Sequence, residues 1–226
     1  MPNRIRRVIL EFYNEISRDE NHRYKSWEHC FKYFKQHRPF ATEQEKDLAA
    51  LHLSFYLASW GMYRGSSPLL WKDYKVHKPA INVLLKRRYE RLWDPQFRAQ
   101  SEEQHNIPLI LELKNELSGS YPDHVTRGDG EDIQFAPTET LITKILLGTM
   151  ACTPACDNFF IKGFRLTGLP FSEFRQEFLD KVRVFYHNHE EEFRQAKDHI
   201  YRESRIRYPV MKLVDMYFWK IGRDAG

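Results

Sequence analysis

Apolar side chains recur at steps of three and four residues along almost the whole chain, a pattern that commits it to packed helices. Ile5, Val8, Ile9, Phe12 and Ile16 form one such stripe; Tyr24, Trp27, Phe31 and Phe34 form the next. The second helix should stop before Pro39, because a residue preceding proline disfavours helical angles. Thr42-Glu43-Gln44-Glu45 has the spacing of a capping box, in which Thr and Glu satisfy each other's free amides. The helix it opens is apolar on nearly all sides from Leu48 to Trp60, so a buried central helix is expected over 42–64. Further helices are expected over 68–77, 79–92, 95–103, 107–118 and 138–150, with a short one from about Asp157. Ser172 then caps a long helix running towards Arg202, and Pro209 opens the last. Residues 119–137 lose the pattern, apart from a trace of two-residue alternation between Val125 and Phe135, and mark where a subdomain boundary would fall. The reading is all-α: a single compact multi-helix domain over 1–226, with about eight to ten helices.

Composition supports a packed core. Phe 16, Tyr 12 and Trp 5 supply large rings that offset ordering entropy even at a mean hydropathy of −0.65. A mainly disordered chain is thereby excluded, and three cysteines exclude a disulfide scaffold. The net charge is +4, and it is uneven: residues 1–113 hold 19 basic and 14 acidic side chains, residues 114–226 hold 16 and 17. The densest basic stretch, Lys86, Arg87, Arg88 and Arg91 with Arg98 beyond, reads as a solvated helix face. The longest apolar run, Ile145 to Cys152, falls short of the roughly 20 residues of a membrane span. Glu11, Asn14 and Glu15 cut short any signal-peptide apolar region, and with the odd cysteine count this points to a cytoplasmic protein with no membrane partner.

Four constellations could carry chemistry. Arg23 and His29 are spaced R-x5-H, which resembles the R-x4-6-H motif of HEPN-type metal-independent ribonucleases. The resemblance implies an arginine that holds phosphate and a histidine that moves the proton of a ribose hydroxyl. Here Tyr24 stands where that family has a small polar residue, and six residues turn an ideal helix by about 240°. Second, Arg64-Gly65-Ser66-Ser67-Pro68 joins two helices; Arg64, Ser66 and Ser67 could hold an anion at the next helix start, though the same residues serve as caps. Third, Cys152 and Cys156 lack the spacing of a zinc knuckle and read as buried thiols, whereas Asp157 could cap a helix or face an arginine across a pocket. Fourth, His187-Asn188-His189 with Glu192 and His199 reads as an exposed helix face, because an HNH nuclease needs a ββα metal fold. No phosphate-loop, dinucleotide or serine-hydrolase motif is present.

The sequence therefore favours a non-enzymatic binding or regulatory protein for an anionic or nucleic-acid-like ligand, with no metal and no cofactor. Asn21, Arg23, Arg64, Ser66 and Asp157 are expected to converge on its pocket. The alternatives are a ribonuclease using Arg23 and His29, or a helical interaction partner, a homodimer included. Base stacking needs rings exposed beside cations, which singles out Tyr24, Tyr63, Tyr74 and Tyr89.

Overall fold

Helix follows helix in the order that the apolar stripes set. The computed structural model describes residues 4–93, 95 and 100–226, those from 100 to 105 by backbone alone. The α-helices are α1 (Arg4–Ser17), α2 (Ser26–His37), α3 (Glu43–Ser59), α4 (Lys78–Leu84) and α5 (Gln100–Ser118). After the hairpin β1 (His124–Thr126) and β2 (Asp132–Gln134) come α6 (Glu139–Thr149), α7 (Asn158–Leu166), α8 (Gln176–Asn188), α9 (Glu190–Ser204) and α10 (Val210–Asp224). The protein is all-α apart from that antiparallel pair, in which Val125 faces Ile133. Among the described residues no helix is long and apolar enough to cross a membrane.

Local chemistry sets most boundaries as expected. Thr42 and Glu45 close the capping box, Glu45 N donating to Thr42 Oγ1 at 3.2 Å and Thr42 N to Glu45 Oε2 at 2.8 Å. Thr138 caps α6, Asp157 caps α7, and Pro209 precedes α10.

Other boundaries differ, each for a physical reason. Residues 68–77 form two short 3-10 helices, Pro68–Trp71 and Tyr74–His77, because Ser67 and Asp73 each cap a turn of their own. The helix expected over 79–92 ends at Leu84 and resumes as a 3-10 helix over Arg87–Leu92. Those expected over 95–103 and 107–118 join in α5, which runs through Pro108; residues 96–99 lie outside the described part, so Arg98 does too. The long helix expected from Ser172 begins only after Arg175, which makes no side-chain capping bond, and breaks at His189. There the imidazole Nδ1 lies 2.8 Å from the Phe185 carbonyl, the acceptor that the His189 amide would need to continue the helix. That amide turns to Tyr186 O at 3.0 Å.

The centre of the fold also moves. One face of α3 is buried through Ala49, Ala50, Leu53, Tyr56 and Leu57. Its other face leaves Leu48, Leu51 and Phe55 exposed by 45, 48 and 64%. The innermost places belong to α6, buried from Leu141 to Thr149, and α10, buried from Met211 to Lys220. A helix apolar all round can fill a central place, but which neighbours cover it is not encoded in its own residues. The apolar core is one cluster from Ile5 to Trp219, and it takes in Tyr121, Val125 and Phe135 from the 119–137 stretch.

Two features position the site. The connection from Ala151 to Cys156 is buried and irregular, so its polar backbone groups need side-chain partners. Asp215 Oδ1 accepts from Ala155 N at 3.1 Å, Thr143 Oγ1 from Cys156 N at 2.9 Å, and Thr140 donates to Cys156 O at 2.9 Å. Helices α7 and α10 then cross backbone to backbone at a glycine pair. A Cβ on Gly163 would meet Phe218 O at 1.8 Å, and one on Gly222 would meet Phe159 O at 1.8 Å.

Candidate functional site

These elements meet around a cleft of about 340 Å³. Arg23 and Tyr24 reach it from a 3-10 turn, Arg23–Lys25, that His22 starts by accepting from Tyr24 N at 3.2 Å. Trp60 ends α3, and Gly61 takes φ +81°, a left-handed angle that turns the chain so that Arg64 folds back across it. Thr140 and Lys144 come from α6, Asp157 to Phe159 from the start of α7, and Trp219 from α10.

The walls are aromatic. Tyr24 and Trp60 have ring centroids 4.5 Å apart, Tyr24 and Trp219 5.4 Å, Trp60 and Trp219 5.9 Å, and Phe159 and Trp219 5.3 Å. The floor is an ion pair between buried Lys144 Nζ and part-buried Asp157 Oδ2 at 2.9 Å. Asp157 works three ways: Oδ1 caps α7 through Phe160 N at 3.0 Å, while Oδ2 accepts from Lys144 and from Trp219 Nε1 at 3.3 Å. The expectation of a capping Asp157 is met, but the cation that Asp157 pairs with is a lysine. Beneath lies a second pair, this one buried, Lys212 Nζ to Asp215 Oδ2 at 3.0 Å, with Lys212 4.6 Å from the Trp60 centroid. Burial pushes the Asp215 carboxyl up, reinforced by nearby Asp157 and opposed by Lys212. Trp60 Nε1 is buried without a hydrogen-bond partner.

The mouth is cationic. Arg23 donates through Nε to Ser59 O at 2.9 Å, and through a terminal nitrogen to the same oxygen, so it caps the end of α3 without losing its charge. The Arg64 side chain makes no hydrogen bond or ion pair with the other described residues, although its carbonyl accepts from Ser67 N at 3.2 Å. Arg23, Arg64 and Asp157 thus meet at the cleft, as the sequence suggested.

The other expected site residues lie elsewhere. Asn21 is exposed, and its backbone N–H donates to Asp19 Oδ1 at 2.8 Å. Ser66 is exposed, and Ser67 caps the four-residue helix Pro68–Trp71, accepting from Leu69 N at 3.4 Å; neither lines the cleft. His29 is exposed on α2 and does not line the cleft that Arg23 joins. Two cations of the basic stretch are matched by acids: Lys86 pairs with Glu116, and Arg88 with Glu112 and Glu116. Cys30, Cys152 and Cys156 are free and buried, and burial pushes the Cys152 thiol up to about 12. Among the described residues no group of His, Cys, Asp and Glu is arranged to hold a metal. Glu192 instead accepts from Ile5 N at 2.8 Å, capping α1.

Lys144, Trp60, Phe159 and Trp219 escaped the sequence reading. One signal was there: Lys144 is a lone cation inside the apolar run from Ile142 to Leu147. Comparison of the chain with protein-family models, curated proteins and solved structures finds no match.

Proposed function

We propose that this chain is a binding protein whose cleft takes a small anionic ligand carrying a flat ring, a nucleotide-like molecule. The observation that carries the reading is the charge balance of the lining: Arg23, Arg64 and Lys144 against one carboxylate, Asp157, which Lys144 already engages. Two guanidinium groups therefore stand over a neutralised floor, suited to a phosphate or carboxylate. The rings of Tyr24 and Trp60, both part-exposed, offer faces on which a planar group stacks, with the buried Trp219 ring packed behind them. The charged groups of the floor are tied into the fold, which favours holding a ligand over transforming it.

Tryptophan fluorescence and calorimetric titration with the four nucleoside 5′-monophosphates test this, with nucleosides and inorganic phosphate alongside. At least one monophosphate should bind saturably, and its nucleoside at least tenfold more weakly. Arg64→Ala should weaken that binding by about tenfold or more, given about 1.5–3 kcal/mol for a hydrogen bond to a charged group. Binding of none, or binding indifferent to loss of both arginines, overturns the reading. Cleavage of mixed RNA in chelator that disappears in His29→Ala would assign a ribonuclease instead.

A further inference from the structure

We infer that the occupant of the cleft continues beyond it as a single-stranded oligonucleotide laid along the outer face of α7. The inference rests on the nucleotide-like reading of the cleft and extends it. An open groove of about 560 Å³ adjoins the cleft, and the two share Asn158. Ile161, Lys162, Arg165, Leu166 and Phe171 line it, and no carboxylate does.

Both groove cations are oriented by backbone oxygens, and Arg165 has no carboxylate beside it. Lys162 Nζ donates to Ala225 O at 3.0 Å and also to Gly226 O; Arg165 donates to Phe171 O at 2.9 Å. Cleft and groove together present Arg23, Arg64, Lys144, Lys162 and Arg165 against Asp157 alone. The whole chain, by contrast, has 35 basic and 31 acidic side chains. Several cations elsewhere meet carboxylates directly, as Lys78 does with Glu43 and Asp47, and Arg194 with Glu191 and Asp198.

Spacing makes the track longer than one nucleotide. Asn158 to Arg165 is seven residues of helix, a rise of about 10 Å. A mononucleotide seated among Tyr24, Trp60 and Trp219 fills the cleft and leaves Lys162 and Arg165 unused. Phe159 and Leu166, exposed by 41 and 58%, flank these cations along α7 and offer apolar contact to further bases. A basic groove with interleaved rings is how sequence-tolerant binders hold single strands.

The test compares, by calorimetry, the best-binding monophosphate with tri- and hexanucleotides of the same base, as RNA and as DNA, and with a duplex of equal length. The trinucleotide of one or both sugars should bind at least tenfold more tightly than the monophosphate, with a steeper loss on raising salt. Lys162→Gln with Arg165→Gln should abolish that gain and leave monophosphate affinity within twofold, which also shows that the variant is folded. A monophosphate that binds while longer strands gain nothing overturns this inference and leaves the cleft reading intact. So does a gain that survives the double variant, or a duplex that binds as well as the strand. If nothing binds, the cleft reading fails and takes the inference with it.

Discussion

Lys144 shows how one residue can serve stability and recognition together. Its ammonium is buried on the inner helix α6, with Asp157 at 2.9 Å and the Trp60 ring centroid at 5.1 Å. Removing Lys144 leaves the part-buried Asp157 charged and short of its cation, though still bonded by Phe160 N and Trp219 Nε1, at a cost of about 1.5–3 kcal/mol. Lys144→Met should therefore lower the unfolding free energy in urea by about that amount. Adding Asp157→Asn should restore much of it, since Asn removes the charge and still caps α7. A single variant within about 1 kcal/mol of wild type would show that the pair does not support the floor.

The crossing of α7 and α10 is an arrangement of elements that no single helix specifies. Gly163 and Gly222 let the two backbones touch, and that approach brings Phe159 within 5.3 Å of Trp219. Gly163→Ala puts a methyl into the Phe218 carbonyl and should cost more than about 3 kcal/mol, beyond ordinary overpacking. The near-ultraviolet circular dichroism of Trp219 should change with it. Gly119→Ala, whose added Cβ meets nothing closer than 3.7 Å, serves as the control and should stay near wild type. The break between α8 and α9, by contrast, is set within one turn, by a His189 imidazole that occupies the Phe185 carbonyl.

Across the whole molecule, His77 ties distant segments together. Ser54 of α3 donates to Tyr63 OH at 2.9 Å, Tyr63 OH lies 2.8 Å from His77 Nε2, and His77 Nδ1 lies 2.7 Å from Tyr121 OH. A neutral imidazole offers one donor and one acceptor to these two hydroxyls. Burial lowers the His77 pKa from 6.5 to about 3. The unfolded chain thus takes up a proton that the folded chain refuses. The stability from this group is complete above about pH 6.5 and is lost as pH falls towards 3, by at most about 1.4 kcal/mol per pH unit. Between pH 6.5 and 5.5 the carboxylates held low by partners, such as Glu15 and Asp224, stay ionised in the folded and the unfolded chain alike. Urea unfolding across that window should show stability falling with acid, and His77→Phe should be less stable at pH 7 with a flatter slope. His52, also lowered by burial, contributes in the same direction and remains in the variant. An unchanged slope would remove His77 as its source.

The helical class was legible in the three- and four-residue stripes, and the starts of α3, α6, α7 and α10 in Thr42, Thr138, Asp157 and Pro209. These are local effects, set by side chains within one turn of the backbone they bond. Arg23, Arg64 and Asp157 could be singled out for the same reason, as polar groups at the ends of apolar stripes. That they share a cleft with Lys144 and Trp219 could not be read, because contacts between residues 23 and 219 depend on how the intervening helices stack. Nor could the inner place of α6 and α10, since a stripe shows that a face seeks cover without naming what covers it. By itself the sequence determined which residues turn together into helices; the tertiary structure decided which helices lie innermost and which distant side chains form the cleft.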